Sequence, residues 1–216
     1  SYLHLAGDVL RRRAEHPRPV FYFRARTEPN ASLPEPSLAH IRRMTDPTGI
    51  YQHAIYAVPD WRHGYCTDDN SRALAAALMH YDLHGDDSVL PLADSYLAFL
   101  HYAFNHESRR FRNFMSFDRR WLDEVGSEDV HGRALWALGL ATALAPNDAL
   151  LSFSTRLFNE GLETATSFDA PRAWAFSLVG IHAYLRRFQG DTSARRIREV
   201  LAGRLYALFQ ENATAE

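Results

Sequence analysis

The sequence contains no lysine: all 24 of its basic residues are arginine, set against 26 acidic residues for a net charge of −2. That absence excludes every chemistry needing an internal lysine amine, including Schiff bases, pyridoxal-phosphate anchoring and the phosphate-binding lysines of P-loops and kinases. A near-zero charge argues against a nucleic-acid partner, because duplex affinity rests on a basic surface that displaces counterions. With Cys66 as the one cysteine, disulfide frameworks and cysteine-based zinc or iron–sulfur sites are excluded too. Cys66 reads as a buried structural thiol, since Tyr65 and Thr67 offer it no activation. No apolar run reaches bilayer length and residues 1–20 lack a signal-peptide core, so the sequence predicts a soluble, cytoplasmic protein without a membrane span.

What is present fits a globular chain, with 46% hydrophobic and 23% charged residues. Residues 1–26 read as an appended segment, helical around Leu3, Leu5, Val9 and Leu10. Residues 27–37 carry Pro29, Pro34 and Pro36 among small polar residues, the composition of a linker. Residues 38–216 then read as one helical domain.

Apolar residues at three- and four-residue spacing predict helices near 37–45, 69–84, 89–105, 128–144, 148–165, 171–188 and 192–211. Those at 69–84, 128–144 and 171–188 are apolar on nearly every face, as in Ala134-Leu135-Trp136-Ala137-Leu138, which marks buried helices. The helices between them carry a one-sided stripe. An inner–outer alternation follows, and an internal repeat supports it. Thr67-Asp68-Asp69-Asn70-Ser71-Arg72-Ala73-Leu74, Ser127-Glu128-Asp129-Val130-His131-Gly132-Arg133-Ala134-Leu135 and Ser167-Phe168-Asp169-Ala170-Pro171-Arg172-Ala173-Trp174 share a hydroxyl residue, an acid and then Arg-Ala opening an inner helix. This predicts an all-α fold, an (α/α) toroid of helical hairpins, with the three acidic motifs meeting at one end.

A hydroxyl residue and an acid at a helix start first of all form a cap, and Arg72, Arg133 and Arg172 lie where each would pair with the acid before it. Capping does not require two adjacent acids, however, and two motifs have them. Adjacent carboxylates can divide acid and base roles, so Asp68, Asp69, Glu128 and Asp129 are candidate catalytic groups, with Glu128 as acid and Asp69 as base. The loops at 49–65 and 112–121 lead into the motifs with strand-like alternation and exposed aromatics. Tyr51, Trp61, Arg62, Tyr65, Arg112 and Trp121, with His131 beside the acids, are the expected sugar-binding residues. His80 and His84 have metal-compatible spacing, but their place at a helix end explains them as well, and no metal or cofactor is expected. Asp68-Asp69 lacks the second spaced acid of a prenyl-diphosphate site.

Residues 50–139, with Gly64-Tyr65-Cys66-Thr67-Asp68-Asp69-Asn70-Ser71-Arg72, Phe111-Arg112-Asn113-Phe114-Met115-Ser116 and Gly126-Ser127-Glu128-Asp129-Val130-His131-Gly132-Arg133, resemble the helical domain of bacterial carbohydrate-active proteins. That domain is of the six-hairpin glycosidase type and often follows a glycosyltransferase domain in the same polypeptide. The resemblance implies an oligosaccharide or other glycan as ligand, an attached glycosyltransferase domain as partner, and residues 1–26 as the tail of that domain. Six inner helices would close the ring and three are present, so an incomplete ring and a truncated chain are expected. The functional expectation is a glycan-binding domain that hydrolyses glycosidic bonds through a carboxyl pair. The alternatives are a non-catalytic glycan-binding or scaffolding domain and a sugar isomerase, the last disfavoured by its need for histidine bases.

Overall fold

The computed structural model describes residues 36–213, so the expected appended segment and nearly all of the linker lie outside the described residues. Residues 37–213 belong to one compact unit. It opens with a short helix α1 (Ala39–Arg43), a two-stranded hairpin β1 (Ala54–Ile55) and β2 (Val58–Pro59), a 3-10 turn (Trp61–His63) and β3 (Tyr65–Cys66). Two long helices follow, α2 (Thr67–His84) and α3 (Leu90–Ala103), then β4 (Phe104–Asn105), β5 (Arg110–Phe111) and β6 (Phe114–Met115). The remainder is helical: α4 (Glu128–Leu144), α5 (Asp148–Leu162), a 3-10 turn (Glu163–Ser167), α6 (Pro171–Arg187) and α7 (Thr192–Ala213).

The described chain is therefore all-α in class, and the predicted helices form with two differences. Residues 39–43 give just over one turn, and the helix expected at 148–165 changes to 3-10 geometry after Leu162. Local chemistry sets the boundaries. Gly85, at φ 63°, takes the left-handed conformation that ends α2, and its N–H donates to Tyr81 O. Asn147 caps α5 by accepting from Leu150 N at 2.9 Å, and Pro171 opens α6, where its missing N–H costs nothing.

Helices α2, α4 and α6 lie side by side with α4 in the middle, and α3, α5 and α7 each pack against the helix that precedes them. The central row is parallel. A Cβ on Gly132 would lie 2.6 Å from Ala173 O, and one on Gly139 would lie 2.1 Å from Gly180 O, so α4 and α6 run in one direction with a constant offset. Arg133, near the start of α4, contacts Asp68 at the start of α2, so every helix of the row starts at the same end. The core between row and flanking helices is formed by Leu74, Leu78, Tyr96, Leu100, Phe111, Leu135, Leu138, Phe158 and Phe168, all essentially inaccessible to water. Each such Leu or Phe contributes about 1.5–3 kcal/mol by leaving water.

The strands serve to position loops. β3 pairs antiparallel with β6, Tyr65 opposite Met115 and Cys66 opposite Phe114, and Tyr51 bridges to Tyr65. Gly64 makes this pairing possible. It sits at φ 61°, and a Cβ there would come within 2.1 Å of Met115 O. The loops at 49–65 and 112–121 are thereby held together over the start of α2.

Candidate functional site

The first two acidic motifs, with Arg172 of the third, meet in an open pocket of about 450 Å³ at the common N-terminal end of α2, α4 and α6, and Asp169 does not line it. Asp68, Asp69 and Asp129 line it, together with Arg72, Arg133 and Arg172, and Gln52, His53, Asn113 and Phe114 come from the two loops. The pocket therefore holds three carboxylates and three guanidinium groups, with no net charge among these six.

How the charges pair follows from the parallel register of the row. Arg72 contacts Asp69 and, at 3.1 Å, Asp68 within its own helix. Arg133 reaches back from α4 to α2, its Nε 2.5 Å from Asp68 Oδ1. Arg172 likewise reaches back from α6 to α4, its Nε donating to Asp129 Oδ2 at 2.7 Å. The expectation that each arginine pairs with the acid of its own motif is met at Arg72 alone. A side chain leaning toward its helix N-terminus, on a helix beside a parallel neighbour, finds the neighbour's first-turn acid instead. The result is a ladder of acid–arginine rungs that steps across the row.

Capping is distributed differently from the expectation too. Ser127 caps α4, accepting from Val130 N at 3.3 Å. At α2 the cap is Cys66, whose Sγ accepts from Asp69 N while its thiol donates to Asp69 Oδ2 at 2.9 Å. Burial, with the Asp69 carboxylate beside it, pushes the Cys66 thiol well above its ordinary range, so it is a protonated structural group. Thr67 instead donates to Arg112 O at 2.5 Å, tying the second loop to the helix start.

Several expected site residues have other work. Glu128 does not line the pocket; its Oε2 accepts from the backbone N–H groups of Asp169 and Ala170 at 3.0 and 2.7 Å, which fixes the entry to α6. The assignment of Glu128 as a general acid is corrected accordingly. His131 is fully buried between Phe111 and Phe168, with Nε2 2.9 Å from Gly161 O, and does not reach the ligand side of the helix. Burial lowers its pKa to about 3, so it is a neutral core residue.

Tyr65 and Tyr51 are also buried, and both donate their hydroxyls to Asp46 Oδ2, at 2.6 and 2.9 Å. Although burial acts to raise it, those two hydroxyls and the N–H groups of Thr48 and Gly49 hold the Asp46 carboxyl below its usual range. Trp121 packs on Phe99 and Tyr102 of α3 under the Arg112 guanidinium, and Arg112 pairs with Glu124 at 3.1 Å. Arg62 is clamped to Asp60.

Trp61 remains open, 57% exposed and stacked on Phe117 at 5.3 Å with the rings nearly parallel. Both belong to the loops that supply His53 and Phe114 to the pocket. Gln52, His53, Asn113 and Phe114 lie in the two loops expected to carry sugar-binding side chains, although none of the four is among the binding residues expected there. His80 contacts Asp86 at 3.3 Å and packs against His84 with the two rings tilted. Among the described residues no group of three or more His, Cys, Asp and Glu side chains is set to hold a metal, and no helix is long and apolar enough to cross a membrane.

No protein-family model matches the chain, and no curated protein matches it.

Proposed function

We propose that the row of helices is an arc of an (α/α) toroid, and that its acidic end binds a glycan. The observation that carries this reading is the pocket itself. Three parallel helices present alternating carboxylates and guanidinium groups around about 450 Å³ of open space. Fixed donors and acceptors without net charge suit a ligand rich in neutral hydroxyls, and Phe114 on the wall with the Trp61–Phe117 stack nearby supplies faces for sugar rings. Binding is favoured over hydrolysis because Asp68, Asp69 and Asp129 are each ion-paired with arginine. Glycoside hydrolysis needs a carboxyl that can hand a proton to the leaving group, and Glu128, the candidate for that role, is engaged with backbone N–H groups.

A second reading is hydrolysis, favoured by the presence of three carboxylates in one pocket. In that case Asp69 is the base, and the acid comes from Asp68 or Asp129. On either reading, an attached glycosyltransferase domain in the parent polypeptide is the natural partner, and the site acts on that domain's substrate or product.

A glycan array followed by calorimetric titration separates these readings. Asp129→Asn and Arg172→Gln are expected to weaken glycan binding about tenfold or more, as loss of charge-assisted hydrogen bonds does. Absence of any bound glycan overturns the proposal. Turnover of a glycan, lowered by about two orders of magnitude in Asp69→Asn with affinity preserved, would establish the second reading over the first.

A further inference from the structure

Strand β6 stands between two pockets. Successive side chains of a strand point to opposite faces, so Phe114 lines the acidic pocket and Met115 turns to the other side. There Met115 forms part of a second open pocket of about 380 Å³, together with Thr48, Ala98, Phe99, Tyr102 and Arg119. None of these residues lines the acidic pocket.

The lining has a definite chemistry. Phe99 and Tyr102 are three residues apart on α3 and so share one face of the helix, Met115 adds a polarisable sulfur, and Trp121 packs against both rings. Arg119 is the cation of this apolar pocket, and its guanidinium has no ion-pair or hydrogen-bond partner among the described residues. Asp46 does not take it up, because its oxygens accept from the Tyr51 and Tyr65 hydroxyls and from Thr48 N. Arg119 also sits at φ 65°, a left-handed conformation uncommon for a residue with a side chain. The turn that imposes it is fixed by Arg119 N donating to Ser116 O at 2.9 Å and Arg120 N to Ser116 Oγ at 3.1 Å. Behind the pocket wall, Thr48 Oγ1 is shielded from water and has no hydrogen-bond partner among the described residues, a group that a ligand oxygen would satisfy.

We propose that this second pocket binds a small aromatic carboxylate, its ring against Phe99, Tyr102 and Met115 and its carboxylate on the Arg119 guanidinium. A planar guanidinium takes a carboxylate through two parallel hydrogen bonds, and aromatic walls favour a ring over an alkyl chain. The volume is near the lower end of small-molecule sites, roughly 300–1,000 Å³, which suits one substituted ring. The proposal does not rest on the glycan reading, since the two pockets have no residue in common.

A ligand-observed NMR titration of the chain with benzoate, phenylacetate and 1-naphthoate tests it, with phenylacetamide lacking the charge and acetate lacking the ring. The aryl carboxylates are expected to bind, and each of the two counterparts to bind about tenfold more weakly or less. Arg119→Asn should weaken phenylacetate binding about tenfold or more while keeping the turn, because asparagine tolerates the left-handed backbone. Ala98→Trp, at an exposed position of α3, should fill the pocket and abolish binding, and it keeps the test open if Arg119→Asn does not fold. Melting curves followed by circular dichroism check both variants. No binding by any aryl carboxylate, equal binding of phenylacetamide, or variants that bind like the parent would each overturn the proposal. So would an affinity lost in Arg172→Gln instead, which would place the ligand in the acidic pocket.

Discussion

Along the seam between α4 and α6 the two backbones touch, since Gly132, Gly139 and Gly180 leave no Cβ between them. Along the seam between α2 and α4 there is no such approach from the α2 side, because the helix Thr67–His84 contains no glycine and keeps a side chain at every position. There the Asp68–Arg133 pair closes the open end of the seam. Two junctions of one repeat are thus built by different means, one by backbone fit and one by side-chain packing with an ion pair. A backbone seam has no tolerance for added atoms. A side-chain seam can repack.

The largest expected effect breaks the first seam. Gly139→Val places two methyl groups where a single Cβ already lies 2.1 Å from Gly180 O, and backbone cannot yield as a flexible side chain can. The α4–α6 packing must separate, at a cost of roughly 3 kcal/mol or more, and thermal melting should show a large loss or an unfolded chain. The corresponding change on α2, Ala76→Val on the half-buried outer side of its helix, should shift the melting temperature little.

A second effect, graded by pH, tests the other face of α4, where His131 packs toward α5. The unfolded chain takes up a proton at this residue below about 6.5, while the folded chain resists it down to about 3. Stability is therefore complete above pH 6.5 and falls as the pH drops through this window, by about 1.4 kcal/mol per unit at most, levelling off below the lower value. His131→Gln, which can still donate to Gly161 O, should flatten the decline of melting temperature between pH 6 and about 4. If the variant and the parent decline in parallel, the acid sensitivity belongs to other groups.

These residues also show how far the sequence could be read. The helices, their alternation and the gathering of the acids at one end are legible because periodicity and a repeated motif are local signals. The backward reach of Arg133 and Arg172 is not, since spacing along one helix says nothing of a neighbour's register. Its place after two acids points His131 toward the site, yet its helical phase is that of Leu135 and Leu138, and both are buried. The role of Glu128 is hidden from local pattern, because the N–H groups it holds lie about forty residues away. The glycine seam was present in the sequence as Gly132 and Gly139 seven apart, with Ala173 and Gly180 at the same interval, a pattern of small residues that marks close helix approach.

The smallest difference separates two rungs of the ladder that look alike in sequence. The side chain of Arg133 is 18% exposed, sits over the Phe176 ring at 4.4 Å and pairs with an acid that is itself mostly covered. Arg172 pairs with Asp129 through more hydrogen bonds, but its side chain is 69% exposed. Good geometry at a solvated position contributes little, because water screens the attraction and the long side chain must be ordered to achieve it. Partial burial reverses this ranking: Arg133→Met keeps the apolar stem but removes the charge opposite Asp68, for an expected cost of about 1–2 kcal/mol, softened because Arg72 also contacts that acid. Arg172→Met should leave the melting temperature of the monomer unchanged while still weakening glycan binding. Melting curves of the two variants at low and at high salt decide the point, since the Arg133 effect should persist as salt is added. An Arg172→Met loss as large as that of Arg133→Met would mean that the α4–α6 seam relies on its ion pair as well as on its glycines.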